Sequence, residues 1–248
     1  MEKYFNIRYE FDKAVVQERI AQMTEEQGTG YICVADANIL QQVHNDLDYR
    51  KVVDGAMFSI CDSSWVPVFL MWIYGIRREH YCGSMIFKDV IEMKRYRQFF
   101  MGTSTEVLTA LKGNLAKIDP AVEEMMFYEL PFRDVNDFDY PAIAEMVNRD
   151  NPDIIWVALG APKQEIFMSK LQPYLHRGVQ IAVGAAFKFY SGLEEKRAPE
   201  WMRRMHLEVL YRIYAEPKKQ WARCKQIICT LPRIFREERK RKKAKSVN

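Results

Sequence analysis

Long apolar runs are missing from this sequence. Nowhere do roughly 18–20 apolar residues follow one another, the length a membrane-crossing helix needs. The longest candidate, Trp65 to Ile76, is interrupted by Pro67 and Gly75. Cysteine is scarce as well: the five residues at 33, 61, 82, 224 and 229 form no C-x-x-C pair and no zinc-knuckle spacing. That speaks against a disulfide framework or a zinc ribbon. Cys33 and Cys61 lie inside apolar runs and read as small buried thiols, and all five are expected to be reduced. The four histidines, at 44, 80, 176 and 206, make no H-x-H or H-x-x-x-H pair, so no protein-built metal site is expected. The opening stretch MEKYFNIRYEFDK is charged and lacks the apolar centre of a secretory signal. A cytoplasmic protein is the expectation.

What is present is ordinary globular material. The 248 residues are 48% hydrophobic and 28% charged, too apolar for a disordered chain and enough for a real core. Charge, however, is unevenly placed. From Pro217 to Asn248 stand 12 Lys and Arg against Glu237 and Glu238. Set against chain totals of 37 basic and 33 acidic residues, this leaves 25 basic against 31 acidic elsewhere. An acidic body therefore carries a strongly basic end. The block Arg239 to Lys243 suits a polyanion, either nucleic acid or the anionic lipid of a cytoplasmic leaflet; a solvated, disordered end is the plainer alternative.

Six short runs read as buried strands: Tyr31–Ala35, Ala56–Cys61, Gln98–Met101, Met125–Leu130, Ile154–Leu159 and Val179–Val183. They are rich in Val, Ile, Phe and Tyr and lack the alternation of a half-wet sheet. Helix-compatible stretches lie between most of them, at Ile39–Val53, Ser104–Ala116, Pro141–Arg149 and Lys163–Leu175. This alternation predicts an α/β fold, Rossmann-like, with a mostly parallel sheet and helices on both faces. The expected division is an α/β core over residues 1–198 and a basic helical C-terminal appendage over 199–248. Within the appendage, Trp201, Met205, Val209 and Ile213 form one apolar stripe, and Trp221, Cys224, Ile228 and Leu231 form a second among lysines and arginines. Such helices either pack on the body or lie on a membrane or partner surface, and the second stripe points to the membrane.

Small or polar residues follow the strands: Asp36-Ala37-Asn38, Asp62-Ser63-Ser64, Gly102-Thr103-Ser104, Gly160-Ala161-Pro162 and Gly184-Ala185-Ala186. In open α/β sheets ligands lie beyond the carboxyl ends of the strands, where helix starts offer N–H donors to phosphate. Gly102-Thr103-Ser104 is a candidate diphosphate cradle; a simple strand-to-helix turn is its alternative. Asp36, Asp62 and Glu165 are the candidate general bases, with Asp62 best placed. A carboxylate accepting a proton from an attacking hydroxyl contributes about 10²–10⁴ in rate, whereas capping the next helix is the competing role for a strand-end aspartate. Two Asp-x-Asp pairs occur. Asp46-Leu47-Asp48 is expected in mid-helix as surface charge, and Asp137-Phe138-Asp139 in a loop.

Several blocks carry a resemblance: Val157 to Glu165 (VALGAPKQE), Val183 to Phe187 (VGAAF), Gly192 leading to Arg197 to Met202 (RAPEWM), Leu207 to Arg212 (LEVLYR) and Glu216 to Lys219 (EPKK). In order and spacing the chain resembles the WecG/TagA/CpsF glycosyltransferases, glycosyltransferase family 26, with weaker similarity back to about Tyr31. The resemblance implies an inverting, metal-independent transfer of a sugar, N-acetylmannosamine-like or another hexose, from a UDP-sugar to a polyprenyl-diphosphate-linked sugar. It places the work in bacterial cell-surface polysaccharide synthesis, such as teichoic acid linkage units, common antigen, capsule or exopolysaccharide. No cofactor is implied beyond the UDP-sugar donor. On this resemblance the catalytic aspartate falls on Asp62, the Thr-x-Asn loop on Asp36 to Asn38, and the Gly-x-Pro-x-Gln-Glu loop on Gly160, Pro162, Gln164 and Glu165. Gly184 stands in the next matching block, and Arg197 and Arg212 match arginines that reach over the diphosphate. A peripheral enzyme on the inner face of the plasma membrane is implied, without nucleic acid as partner, and homo-oligomerisation is left open.

The chain also departs from the family pattern. Ser63 follows Asp62 in place of Gly, Asp36 stands at the Thr position, and His80 replaces Arg. Met85 and Lys188 stand at positions usually Asp, and His206 at a position usually Gly. Asp36 thereby becomes a competitor of Asp62 for the base. A non-catalytic relative and a nucleic-acid-binding α/β protein using the basic end are the alternative readings, the latter motivated by the tail alone.

Overall fold

The computed structural model describes residues 3–63, 65–193 and 217–245. Its strands and helices alternate along the chain. They run β1 (Lys3–Tyr4), β2 (Ile7–Glu10), α1 (Lys13–Glu25), β3 (Thr29–Ala35), α2 (Ala37–Asn45), α3 (Leu47–Gly55), β4 (Phe58–Cys61), α4 (Trp65–Tyr74) and α5 (Gly83–Glu92). There follow β5 (Gln98–Gly102), α6 (Thr105–Leu115), β6 (Met126–Tyr128), α7 (Tyr140–Asp150), β7 (Ile154–Ala158), α8 (Lys163–Leu171), β8 (Gly178–Ala182), α9 (Ala186–Ser191) and α10 (Pro217–Lys245).

All six strands expected from the sequence are present as β3 to β8, and every residue of β4, β5, β7 and β8 is buried. Strands covered by helices on both faces have no wet side, so their residues need not alternate. The sheet order is β1-β2-β4-β3-β8-β7-β5-β6. All neighbours are parallel except β1 and β2, an antiparallel pair at one edge that the apolar-run reading missed because its residues alternate between buried and half-buried.

Helices cover both faces. One apolar cluster joins β-strand side chains to α1, α5 to α9 and their loops, with Phe87 packed edge-on against Trp156 at 4.9 Å. The Trp156 indole donates to Gln98 Oε1 at 2.7 Å, which satisfies a polar group inside an otherwise dry layer. The second cluster gathers Ile39, Val43, Tyr49, Val66, Leu70 and Ile73 from α2, α3 and α4, together with Ile234 of α10.

One helix expected over Ile39–Val53 is two. Asp46 takes an extended backbone (φ −128°, ψ 114°), ends α2, and caps α3 by accepting from the amides of Asp48 and Tyr49. The first Asp-x-Asp pair therefore sits at a helix junction rather than in mid-helix, although Asp48 is exposed and paired with Lys51 as surface charge. In the second pair, Asp139 caps α7 through the Ala142 amide. Among the described residues, no helix is long and apolar enough to cross a membrane.

The last described helix is docked on the body. Tyr74 donates to Glu238 Oε1 (2.6 Å), Lys242 Nζ to the Ile73 carbonyl (2.6 Å), and Arg233 to Asn45 Oδ1 (2.6 Å). The stripe Trp201 to Ile213, the expected boundary at 198/199, and both Arg197 and Arg212 lie outside the described residues.

Candidate active site

The sheet order places a topological switch between β3 and β8. From β3 the chain moves outward to β4, while β5 to β8 fill the other side. A crevice opens at the carboxyl ends of strands at such a point. Because β3, β4, β5, β7 and β8 are mutually parallel, the five singled-out loops share that rim, in the order Asp62, Asp36, Gly184, Gly160, Gly102.

Asp62 is held at the rim by backbone. Its amide donates to the Ala35 carbonyl at 3.1 Å, prolonging the β3–β4 ladder. Its side chain is exposed, and Oδ1 accepts the Gly83 amide, the first of α5, at 3.0 Å. Gly83 fits because it has no side chain: a Cβ there would stand 3.2 Å from Val34 Cγ1 and 3.6 Å from the Val183 carbonyl oxygen. The helix start that meets Asp62 is thus wedged against the tops of β3 and β8. Sequence reading did not single out Gly83; its place 21 residues after Asp62 becomes meaningful only through the fold.

Asp36, the competing base, is engaged differently. Its Oδ1 accepts from the amides of Asn38 and Ile39, both at 2.9 Å, capping α2. This is the helix-start geometry expected of a strand-end aspartate. Asn38 follows in the first turn, where its Oδ1 faces Gln42 Nε2 at 3.4 Å.

Glu165 does not stand at the rim, although the sequence groups it with the candidate bases. It is fully buried. Gln164 Nε2 donates to its Oε1 at 2.9 Å, and the Tyr49 hydroxyl donates to its Oε2 at 3.2 Å. Burial pushes its pKa up to about 7, and the nearby charge of Asp36 adds to the rise, while the bonds from Gln164 and Tyr49 oppose it. The same burial, together with the Glu165 charge, raises the Tyr49 phenol and keeps it protonated as donor. Tyr49, which no sequence pattern singles out, is supplied by α3. Tyr9 was also missed; its buried hydroxyl has no hydrogen-bond partner among the described residues, and its pKa is raised by burial first, then by Cys61 and Asp36.

Gln164 links this buried group to the rim: its Oε1 accepts the Gly160 amide at 3.1 Å, and its own amide donates to the Gly160 carbonyl at 3.0 Å. Gly160 has φ +77°, and the Ala161–Pro162 peptide is cis. A Cβ on Gly160 would meet nothing within 4 Å, and one on Gly184 only the Gln164 amide group at 3.7 Å. Both backbones lie open to the crevice.

The Gly102-Thr103 turn differs from the bare cradle expected. Gly102 has φ +120°, and a Cβ there would stand 2.5 Å from the Ala158 carbonyl oxygen, so only glycine fits. Thr103 also has positive φ. At the start of α6, however, the Thr105 amide donates to Glu129 Oε2 at 2.9 Å, and the Thr105 hydroxyl donates to the same oxygen. These bonds lower the Glu129 pKa. A carboxylate from beyond β6 thus occupies the donors at which an anion was expected.

The chain is also similar in sequence to known glycosyl transferases. A family model described as "Glycosyl transferase WecG/TagA/CpsF family" matches residues 4–244. The N-acetylglucosaminyldiphosphoundecaprenol N-acetyl-beta-D-mannosaminyltransferase of Bacillus subtilis (strain 168) is 29% identical over 200 residues, covering 79% of this chain and 75% of the relative. Proteins of the same name from Bacillus spizizenii and Staphylococcus aureus (strain NCTC 8325) are each 26% identical, over 84% and 92% of this chain and 80% and 89% of their own lengths.

Proposed function

The chain belongs to the WecG/TagA/CpsF glycosyl transferase family, and from that premise we propose that it moves N-acetylmannosamine, or a closely related hexose, from a UDP-sugar to a polyprenyl-diphosphate-linked N-acetylglucosamine. The donor sugar and acceptor follow the names of the relatives. The reaction is inverting, needs no metal, and belongs to the synthesis of a bacterial cell-surface polymer on the inner face of the plasma membrane.

Asp62 is the base in this reading. The acceptor hydroxyl attacks C1 of the donor sugar from the face opposite the nucleotide. Its proton passes to the Asp62 carboxylate, and the bond between C1 and the diphosphate oxygen breaks with its electron pair on UDP. The observation that carries the assignment is the exposed Asp62 carboxylate, fixed by Gly83 beside the switch-point crevice. Asp36 shapes the same rim as the cap of α2. The open backbones of Gly160 and Gly184 let the donor approach, and the buried Gln164–Glu165–Tyr49 group holds that loop in place. Charge on the departing diphosphate is met by backbone N–H groups and by Arg197 and Arg212, as the family resemblance implies.

UDP release from a panel of UDP-sugars, with a polyprenyl-diphosphate-N-acetylglucosamine acceptor in detergent, tests the proposal. Acceptor-dependent release that disappears in Asp62→Asn supports it. Undiminished release in that variant transfers the base to another group, and no release with any donor, despite UDP binding, identifies a non-catalytic relative.

A further inference from the structure

We propose that the outer face of α4, with the loop that follows it, is the surface by which this protein lies on an anionic lipid bilayer. Its purpose rests on the lipid-linked acceptor of the proposed function; its support is the structure of α4 itself.

This helix, WVPVFLMWIY, has no charged side chain. Val66, Leu70 and Ile73 are buried in the core, and Phe69 packs against Phe5 and against Phe235 of α10. A helix that is apolar all round belongs in an interior, yet the other side of α4 faces out. Trp65 is 50% exposed, Met71 42% and Trp72 67%, and Met85 of α5 adds a fourth large apolar side chain at 40%. A cavity of about 550 Å³ opens there, where Arg77, Arg78 and His80, with a single acid, Glu79, meet Met71, Trp72 and Met85.

Charge identifies the occupant. Arg77 and Arg78 are exposed at the end of the apolar face. Along its flank lies α10, whose Arg236, Arg239, Lys240 and Lys242 are exposed and whose Lys242 is tied to the last turn of α4. Indoles and thioethers ringed by arginine and lysine suit the headgroup boundary of an anionic leaflet, where indole rings settle and basic side chains reach the phosphates. With ten residues α4 is too short to cross, so it lies in the plane of the interface. Asp62 stands three residues before Trp65, and Met85 two after Gly83. A docked molecule therefore holds its catalytic rim at the level from which a lipid-linked sugar emerges.

Vesicle co-sedimentation with the full chain tests this, using phosphatidylglycerol vesicles, phosphatidylcholine vesicles and neither, without polyprenyl lipid. The expected result is partition onto phosphatidylglycerol that weakens with salt and falls about ten-fold or more in Trp72→Glu. Arg77→Glu/Arg78→Glu is expected to lower it as well, although α10 is intact in both variants. Brominated acyl chains should quench tryptophan fluorescence in wild type more than in Trp72→Ala. UDP titration and thermal melting check that the variants are folded. Unaltered partition in Trp72→Glu would overturn the proposal, as would failure of the folded wild type to bind. Concentration-dependent dimers abolished by Trp72→Glu, without vesicle binding, would assign the face to a second copy of the chain instead. Vesicle binding with no sugar transfer would refute the enzymatic reading and leave this one standing.

Discussion

Asp62 Oδ1 accepts the amide of Gly83 at 3.0 Å, so the strand-end carboxylate and the start of α5 are fastened together across 21 residues of sequence. In its proposed role as base, a carboxylate fixed by backbone needs no reorganisation when the acceptor arrives. Asp62→Asn preserves the size of the side chain and removes its basicity. Transfer is expected to fall by about 10²–10⁴ with UDP affinity and melting temperature little changed, as measured by UDP release, calorimetric titration and a thermal scan.

Asp36→Ala separates capping from catalysis. Losing the two bonds to Asn38 and Ile39 should cost about 1 kcal/mol of stability, seen as a shifted denaturant midpoint with unchanged slope. Asp36→Ser, which can still cap, should recover most of it. Turnover is expected to follow the stability change; a loss as large as that of Asp62→Asn with Ser unable to restore it would make Asp36 the base.

Glu165 predicts a pH dependence of folding. Its pKa in the fold, about 7, lies above the ordinary carboxyl value. Between roughly pH 4.5 and 7 the native state therefore holds a proton that the unfolded chain releases. Stability from this group is full below that window and declines as pH rises through it, by on the order of 3 kcal/mol. Denaturation midpoints of wild type and Glu165→Gln across pH 4.5–8 check this: the difference should favour the variant progressively toward high pH.

Glu129 competes for the α6 donors. Replacing it with Gln removes negative charge from the Thr105 amide and hydroxyl. If the Gly102-Thr103 turn receives the diphosphate, UDP binding should tighten about two- to five-fold, and titration at two salt concentrations reads the change. We expect the tightening; identical affinities would move the diphosphate away from α6.

The parallel core was legible because strands covered on both faces must be apolar throughout, and Ile154–Ala158 or Gly178–Ala182 can be little else. The N-terminal pair β1–β2 was not, since two and four residues at an edge leave too short a pattern. Asp46 looked like helix surface because its capping role depends on a backbone turn that periodicity does not encode. The rim was legible as a set of loops, but the division of labour within it was not. Glu165 follows the Gly160 turn and reads as a candidate base, and only the packing of α3 over α8 puts Tyr49 against it and takes it out of water. The apolar run Trp65–Ile76 reads both as a segment that meets a lipid-linked acceptor and as a core helix, and only its placed neighbours divide it into a buried side and an exposed one.

The docking of α10 on α4 has a consequence for biosynthesis. Tyr74, Phe69 and the Ile73 carbonyl receive their covering partners from Glu238, Phe235 and Lys242, which leave the ribosome some 160 residues later. At about 5–20 residues per second, the nascent chain carries α4 without this cover for on the order of ten seconds or more. During that interval the side of α4 that α10 later covers is open along with its outer face, and the unfinished chain is at its most exposed to chaperones, to aggregation and to the bilayer itself.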